Sequence, residues 1–465
     1  MSATLLGALR QELGDAAVLT EIGERYRKDY FAAEAEGGWP LAVVRPASVA
    51  EVAAVLRLCH QHRQPVITQG GMTGLSGGGL PVDGEMVLSL ERLRGIEEID
   101  EMAGTLTALA GTPLQEIQEA AARGFLAAID LGARGSCQIG GNISTNAGGN
   151  RVIRYGMARQ QVLGLEVVTA DGTVVRSLNK MLKNNAGYDL KHLFIGSEGT
   201  LGVITRVVLK LEPLPSCTQT ALCAVGSYEA VVQLLRHAQR ALSGRLSAFE
   251  VMWADYYDLV TTRIAGQRAP LPQGHAFYVL LDLQGNDAAT DAARFEAMLE
   301  EAMGSDLVDD AVLASSEKET QALWRLRDAP GEFPSIWPTI ASFDISMPIG
   351  VIGHYVEALK VRLAETVPGC EVVHFGHIGD SNLHVCIHLP GTTAQTFPET
   401  EIKDCLYGLL RDYAGSVSAE HGIGSYKRDY LPYCRSPEEI ALMRTLKQAL
   451  DPRGILNPGR VLPEA

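Results

Sequence analysis

Three glycine-rich segments in the N-terminal half constrain this chain more than anything else in it. The first, QGGMTGLSGGG from Gln69, holds six glycines and two hydroxyl residues in eleven positions. The second is DLGARGSCQIGGNISTNAGGN, residues 130–150, and the third is GSEGTLG from Gly196. PVITQ, a short apolar run of strand type, leads into the first, and the third runs into VITRVVLKL, whose alternation reads as a strand. A strand that empties into such a loop offers bare backbone N–H groups to an anion, because glycine permits both positive dihedrals and close approach. One glycine loop alone is most simply a turn. Three, all carrying Asn, Ser or Thr, are most economically explained by one large nucleotide lying along them. None fits GxGxxG opening a helix or GxxxxGK[ST], so neither a Rossmann dinucleotide site nor an NTPase P-loop is supported.

At 465 residues the chain is expected to form two to three domains. PLPSC at 213–217 breaks the pattern and marks a boundary. Beyond it, helical stretches such as SYEAVVQLLRHAQRAL alternate with strands such as HAFYVLLDL, which suggests a separate α+β layer. The last sixty or so residues return to a helix, EEIALMRTLKQAL, and a tail, DPRGILNPGRVL. A net charge of -15 and the lack of any Lys/Arg-rich run argue against nucleic acid as a partner, and no run of eighteen apolar residues supports a membrane span. The eight cysteines show neither CxxC pairs nor a disulfide rhythm, and the N-terminus lacks the pattern of a secretory or transit signal, so a cytoplasmic location is expected. The same spacing excludes an iron-sulfur motif of the CxxCxxC kind.

HFGHIGDSNLHVCIH, from His374, packs four histidines and an aspartate into what reads as a loop running into a buried strand. LHVCIH alternates, so His384, Cys386 and His388 share one strand face, and the turn-forming IGDSN can fold His377 back beside His384. Two imidazoles, a carboxylate and an open position describe a catalytic metal site, and Glu420 in SVSAEHGIG is the carboxylate candidate. His377, His384 and Glu420 are therefore the expected ligands, with His421 left to act as a base. His374 and His388 are expected to be scaffold.

Taken together, ITQGGMTGLSGG, DLGARGSCQIGGNISTNAGG, RYG, GSEGTLGVIT, GHIGDSNLH, AEHGIG and ILNPGR resemble the FAD-dependent D-2-hydroxy-acid dehydrogenases of the vanillyl-alcohol oxidase flavoprotein superfamily. The match runs from about residue 40 to the C-terminus. It implies an α+β fold: a two-lobed FAD domain over 1–215, an inserted α+β substrate domain over 216–400 and a segment, 401–465, returning to the FAD domain. By the same resemblance Gln69, Gly70, Gly71, Met72, Thr73, Gly74 and Ser76 hold the cofactor. Ser136, Gly140, Asn142, Thr145 and Gly149 lie along it, with Glu198, Gly199, Gly202, Ile204 and, from the tail, Asn457. Met72 stands where some relatives carry a flavin-linking histidine, so FAD is expected to be noncovalent. Metal-dependent relatives match His377, His384 and Glu420 as ligands and His421 as base, and zinc suits imidazole and carboxylate donors.

Arg327, in LWRLRDAPGEF, matches an arginine suited to gripping a substrate carboxylate in two places, and Asn382 is expected to offer a substrate-side amide. Relatives acting on D-2-hydroxyglutarate carry a lysine and an asparagine where this chain has Ser342 and Cys386. A substrate with one carboxylate, D-lactate or a longer D-2-hydroxy acid, is therefore expected, with D-2-hydroxyglutarate or D-malate as the alternative. Trp324, Phe333, Trp337 and Phe343 are candidates for an apolar side-chain pocket. A rival from another class is a non-redox module with structural zinc. The electron acceptor is left among electron-transfer flavoprotein, a quinone, a cytochrome and oxygen, and a homodimer is kept open.

Overall fold

The computed structural model describes residues 2–30 and 37–463. They form two compact units: Met1–Gly149, Gly156–Leu214 and Glu420–Ala465 make the first, and Asn150–Tyr155 with Pro215–Ala419 the second. The chain re-enters the first unit at Glu420, later than the expected residue 401. The reason is local. Helix Glu399–Leu410 packs into the second unit, where Tyr407 meets Phe343 edge-on and the Leu406 carbonyl accepts from the Tyr355 hydroxyl.

The first unit holds two main sheets. One orders its strands Val18–Leu19, Ala42–Val44, Met86–Ser89 and Val66–Gln69, the last three parallel. The other is antiparallel, ordered Ile96–Asp100, Thr105–Leu109, Val203–Lys210, Val162–Val168 and Val174–Ser177. Ser48 starts the helix Val49–His62 by accepting the Glu51 N–H, which satisfies one of the orphan donors of the first turn. Val52, Val55, Leu56 and Cys59 of that helix share one apolar core with Leu106 and Ala108 of the antiparallel sheet. The tail helix Pro437–Leu450 begins with a full capping box between Ser436 and Glu439, and beyond it Leu456 bridges to Val66.

The second unit is built on a seven-stranded antiparallel sheet, ordered Asp310–Leu313, Cys217–Val225, Phe277–Gly285, Leu246–Trp253, Glu371–Gly376, Asn382–His388 and Ala341–Ser346. Helices Ala254–Arg263 and Glu317–Arg327 cover one face through Tyr256, Leu323 and Leu326. On the other face Tyr228 of helix Tyr228–Leu242 stacks on Trp253. Residues opposite one another in an antiparallel ladder share a face. The register pairs Ala248 with Asp282, Met252 with Phe375, Phe375 with His384 and His384 with Asp344. Asp282, Glu250, His384 and Asp344 thus form a polar stripe on the face that Glu317–Arg327 covers. The segment read as a loop before His377 is a strand end, because Val373 and Phe375 alternate into the core.

Candidate functional site

In the first unit the three glycine segments close around a cavity of about 360 Å3. Gln69 ends its strand with its amide N–H pair donated to Tyr26 O and Gly79 O, both at 2.8 Å, which braces the loop that follows. At Gly71 any Cβ would sit 1.9 Å from the Ser136 carbonyl oxygen, so the first two segments touch only because that side chain is absent. Gly70, Gly71, Met72, Thr73, Gly74 and Ser76 line the cavity, as do Gly140, Asn142 and Thr145, then Glu198, Gly199, Gly202 and Ile204. Four buried side-chain oxygens on the wall, Thr68 Oγ1, Gln69 Oε1, Gln138 Oε1 and Asn142 Oδ1, have no hydrogen-bond partner among the described residues. Buried polar atoms are rarely left so, and such a wall suits a ligand bearing N–H and O–H donors, as the isoalloxazine and ribityl parts of FAD do.

Three expected cofactor residues do different work. Ser136 is exposed and off the wall; its carbonyl abuts Gly71, and Cys137 and Gln138 line the cavity instead. Gly149 turns at φ 108° with Asp130 O where a Cβ would be, and its N–H donates to Glu420 Oε1 at 2.8 Å. Asn457 reaches the wall, but its amide joins Thr68 N–H at 3.0 Å to Glu198 O at 2.8 Å, so it clamps two loops together. Glu198 accepts the Ile423 and Gly424 N–H groups at 2.8 Å each. Burial pushes its carboxyl up, against the pull of those two bonds and of Lys427. The segment anchored in this way begins with Glu420 and His421, and both line the cavity.

In the second unit the turn at Ile378–Asp380 folds His377 back on His384, their rings perpendicular with centroids 5.3 Å apart. His377 Nδ1–H donates to Glu250 Oε1 at 2.7 Å, and Glu250 Oε2 accepts Arg327 Nε–H at the same distance. Burial alone would raise the Glu250 carboxyl, but His377 and Arg327 hold it down to about 2. An imidazole whose Nδ1–H rests on a carboxylate presents Nε2 as a ligand atom, the arrangement that metal-binding histidines usually show. The donor chemistry of the pair therefore fits a divalent ion. Glu420 and His421 belong to the first unit. His384 lies 4.0 Å from Asp344, which also accepts the Asn382 amide and the Ala419 N–H.

Several substrate-side expectations are corrected. Glu250 takes Arg327 Nε at 2.7 Å and one terminal nitrogen lies 3.3 Å from His377 Nε2, so the expected two-point grip is closed off and the other terminal nitrogen is left for a ligand. Asn382 is buried with its amide N–H pair on Asp344 Oδ1 and Ile345 O, so it offers a substrate no donor. Ser342 and Cys386 are ladder partners, Oγ and Sγ 3.6 Å apart, and burial pushes the thiol up to about 11. Phe333, Trp337 and Phe343 are core rather than pocket wall, and the Trp324 indole N–H donates to Asp282. His374 and His388 are held on Asp255 and on Thr339 O, away from the His377 pair. Sequence reasoning missed Glu250 and Asp282. The available signal was a lone acid inside an apolar strand, FEVMW and VLLDL, since unpaired carboxylates are almost never fully buried.

Residues 40–177 match the FAD binding domain and residues 214–461 the FAD linked oxidases, C-terminal domain. The chain is 42% identical over 425 residues to D-2-hydroxyglutarate dehydrogenase of Bos taurus, covering 90% of this chain and 76% of that one. It is 41% identical over 426 residues to D-2-hydroxyglutarate dehydrogenase of Xanthomonas citri pv. viticola, covering 91% and 89%. A putative D-lactate dehydrogenase of Schizosaccharomyces pombe is 37% identical over 429 residues, covering 89% and 80%. In fold, it superposes on p-cresol methylhydroxylase with a TM-score of 0.75 at 18% identity, covering 99% and 96%. That likeness shows a shared fold, and with the two matched FAD domains it marks the chain as an FAD-carrying flavoprotein of the vanillyl-alcohol oxidase type. Within that type, the chain belongs to the FAD-linked D-2-hydroxy-acid dehydrogenases. The expected cytoplasmic location does not stand: the relatives from Bos taurus, Arabidopsis thaliana and Rattus norvegicus are named as mitochondrial proteins. The spacing of the cysteines does not distinguish one compartment from another.

Proposed function

We propose that this chain oxidises a D-2-hydroxy acid bearing one carboxylate to the 2-oxo acid, with noncovalent FAD and a zinc ion held by His377, His384 and Glu420. The observation that carries the reading is that His421 lines the same cavity as the glycine loops, so a base and the cofactor wall share one place. When bound, FAD supplies the hydride acceptor and the ion the Lewis acidity that lowers the pKa of the chelated hydroxyl. His421 takes the hydroxyl proton at a ring nitrogen as the α-hydrogen leaves with its electron pair, and the C–O bond becomes the carbonyl. Arg327 meets the α-carboxylate through the terminal nitrogen that does not face His377. The chain passes directly from Ala419, tied to Asp344, into Glu420.

The uncharged Ser342–Cys386 pair supports a substrate without a second carboxylate, since neither residue is a cation at neutral pH. D-2-hydroxyglutarate is the second reading, and it is favoured by the names of the Bos taurus and Xanthomonas relatives. Electron-transfer flavoprotein stands first among the acceptors, ahead of a quinone, a cytochrome and oxygen.

Anaerobic mixing of the flavin-loaded chain with a panel of D- and L-2-hydroxy acids is expected to bleach the flavin with D-lactate or a longer D-monocarboxylate faster than with D-2-hydroxyglutarate or D-malate. Equal or faster bleaching by the diacids favours the second reading. His421→Ala is expected to keep its flavin and slow bleaching about 10²–10⁴-fold. A chelator is expected to abolish bleaching and zinc to restore it. A colourless protein that takes up no added FAD overturns the proposal.

A further inference from the structure

Glu250 stands on Leu246–Trp253, a strand buried along its whole length between two others, and it is 1% exposed. A carboxylate in such a place is costly unless every oxygen is used. Here Oε1 accepts from His377 Nδ1 and Oε2 from Arg327 Nε, both at 2.7 Å. A carboxylate can only accept, so Nδ1 carries a proton, and a guanidinium can only donate, so the Arg327 nitrogen beside Nε2 places the lone pair there. An Arg327 terminal nitrogen lies 3.3 Å from that same Nε2, which closes a triangle of three side chains. Neutralising Arg327 would require one oxygen. The second oxygen takes up the imidazole, whereas the other histidine of the pair, His384, is 4.0 Å from its acid, too far for a hydrogen bond.

We propose that Glu250 is a positioning residue for the reaction, joining His377 and Arg327 so that the ion-facing imidazole nitrogen and the carboxylate-facing guanidinium edge are set as one rigid assembly. The inference rests on the functional reading above. Its consequence is coupling: the ion and the substrate carboxylate are received by two groups that cannot be moved separately, because one acid orients both.

The test uses the full chain loaded with FAD. Glu250→Gln preserves shape, but its amide cannot accept from both partners. It is expected to keep the wild-type circular dichroism and flavin content, to lose zinc affinity about 10–100-fold on dialysis against a competing chelator, and to raise KM for the D-2-hydroxy acid more than it lowers kcat. Wild-type zinc affinity and KM in Glu250→Gln overturn the proposal. Should that variant fail to fold, imidazole ¹⁵N shifts of the zinc-free wild-type chain, assigned through His377→Gln, decide the matter. A proton on Nδ1 supports the proposal and one on Nε2 overturns it. A wild-type chain that takes up neither zinc nor a D-2-hydroxy acid overturns the functional reading and this proposal with it. One that takes up both while Glu250→Gln is unchanged overturns this proposal alone.

Discussion

Ser342 is an exposed residue on an edge strand, and its ladder partner Cys386 is a buried, neutral thiol. Exposure leaves room for a longer side chain, so Ser342→Lys is expected to fold as the wild type does. A lysine there brings a cation to the side of the thiol, and a charge-assisted bond of about 1.5–3 kcal/mol corresponds to roughly ten-fold or more in affinity. The variant should lower KM for D-2-hydroxyglutarate by about that factor and leave KM for D-lactate nearly unchanged, as read from steady-state rates with an artificial acceptor. An unchanged preference would mean that the side-chain end of the substrate lies elsewhere. Asn382 shows the opposite case: a polar residue with a reactive look is committed to holding Asp344 and the strand beside it. Spacing marks which residues carry functional groups. It does not mark which of those groups are already bonded.

The five-stranded sheet of the first unit carries its own electrostatic test. Glu166, fully buried, accepts from Arg176 Nε at 2.6 Å and Arg206 Nη1 at 2.7 Å, and Arg206 also grips Glu97 through two bonds of 2.8 Å. Burial alone would raise the Glu166 carboxyl, and the two arginines more than reverse that, holding it below its ordinary value of 4.5. A carboxylate lowered in this way contributes stability that is present above the unfolded value and lost as the pH falls through the folded one. Glu166→Gln is therefore expected to lower stability at neutral pH by about 1–3 kcal/mol and to flatten the acid limb below pH 4.5 in urea titrations. An acid limb identical to that of the wild type would remove Glu166 from the account. Elements of this kind were readable from the chain: the alternation of VITRVVLKL gives Val203–Lys210. The strand before His377 was not, because three glycine and aspartate positions around it imitate a loop.

At the scale of the molecule, the tail is what completes the cofactor unit. Lys447 donates to Asp451 Oδ2 and Leu456 O at 2.7 Å and to Thr200 O at 2.8 Å, tying the last helix to the third glycine segment across much of the chain. Lys447→Met takes their lysine donor from the Thr200 and Leu456 carbonyls, a loss of about 1–3 kcal/mol for each not rescued by water, while Asp451 keeps the Ile455 and Leu456 N–H groups. The expected result is a melting temperature several degrees lower and faster release of FAD on dilution. Unchanged flavin release would show that the tail stabilises the fold without shaping the cavity. The glycine segments, their strands, the boundary near Pro215 and the His377–His384 pair are properties of local sequence, because dihedral freedom, alternation and turn residues act over a few positions. The roles of Glu250, Glu198, Gly149 and Asn457 are not. Each depends on a partner brought close only by folding, from His377 and Arg327 for Glu250 to Thr68 for Asn457, and on burial that makes each hydrogen bond exclusive. A sequence shows what a side chain is able to bond. Only the tertiary structure decides which of those bonds is made first, since a buried donor given to one acceptor is no longer available to a ligand.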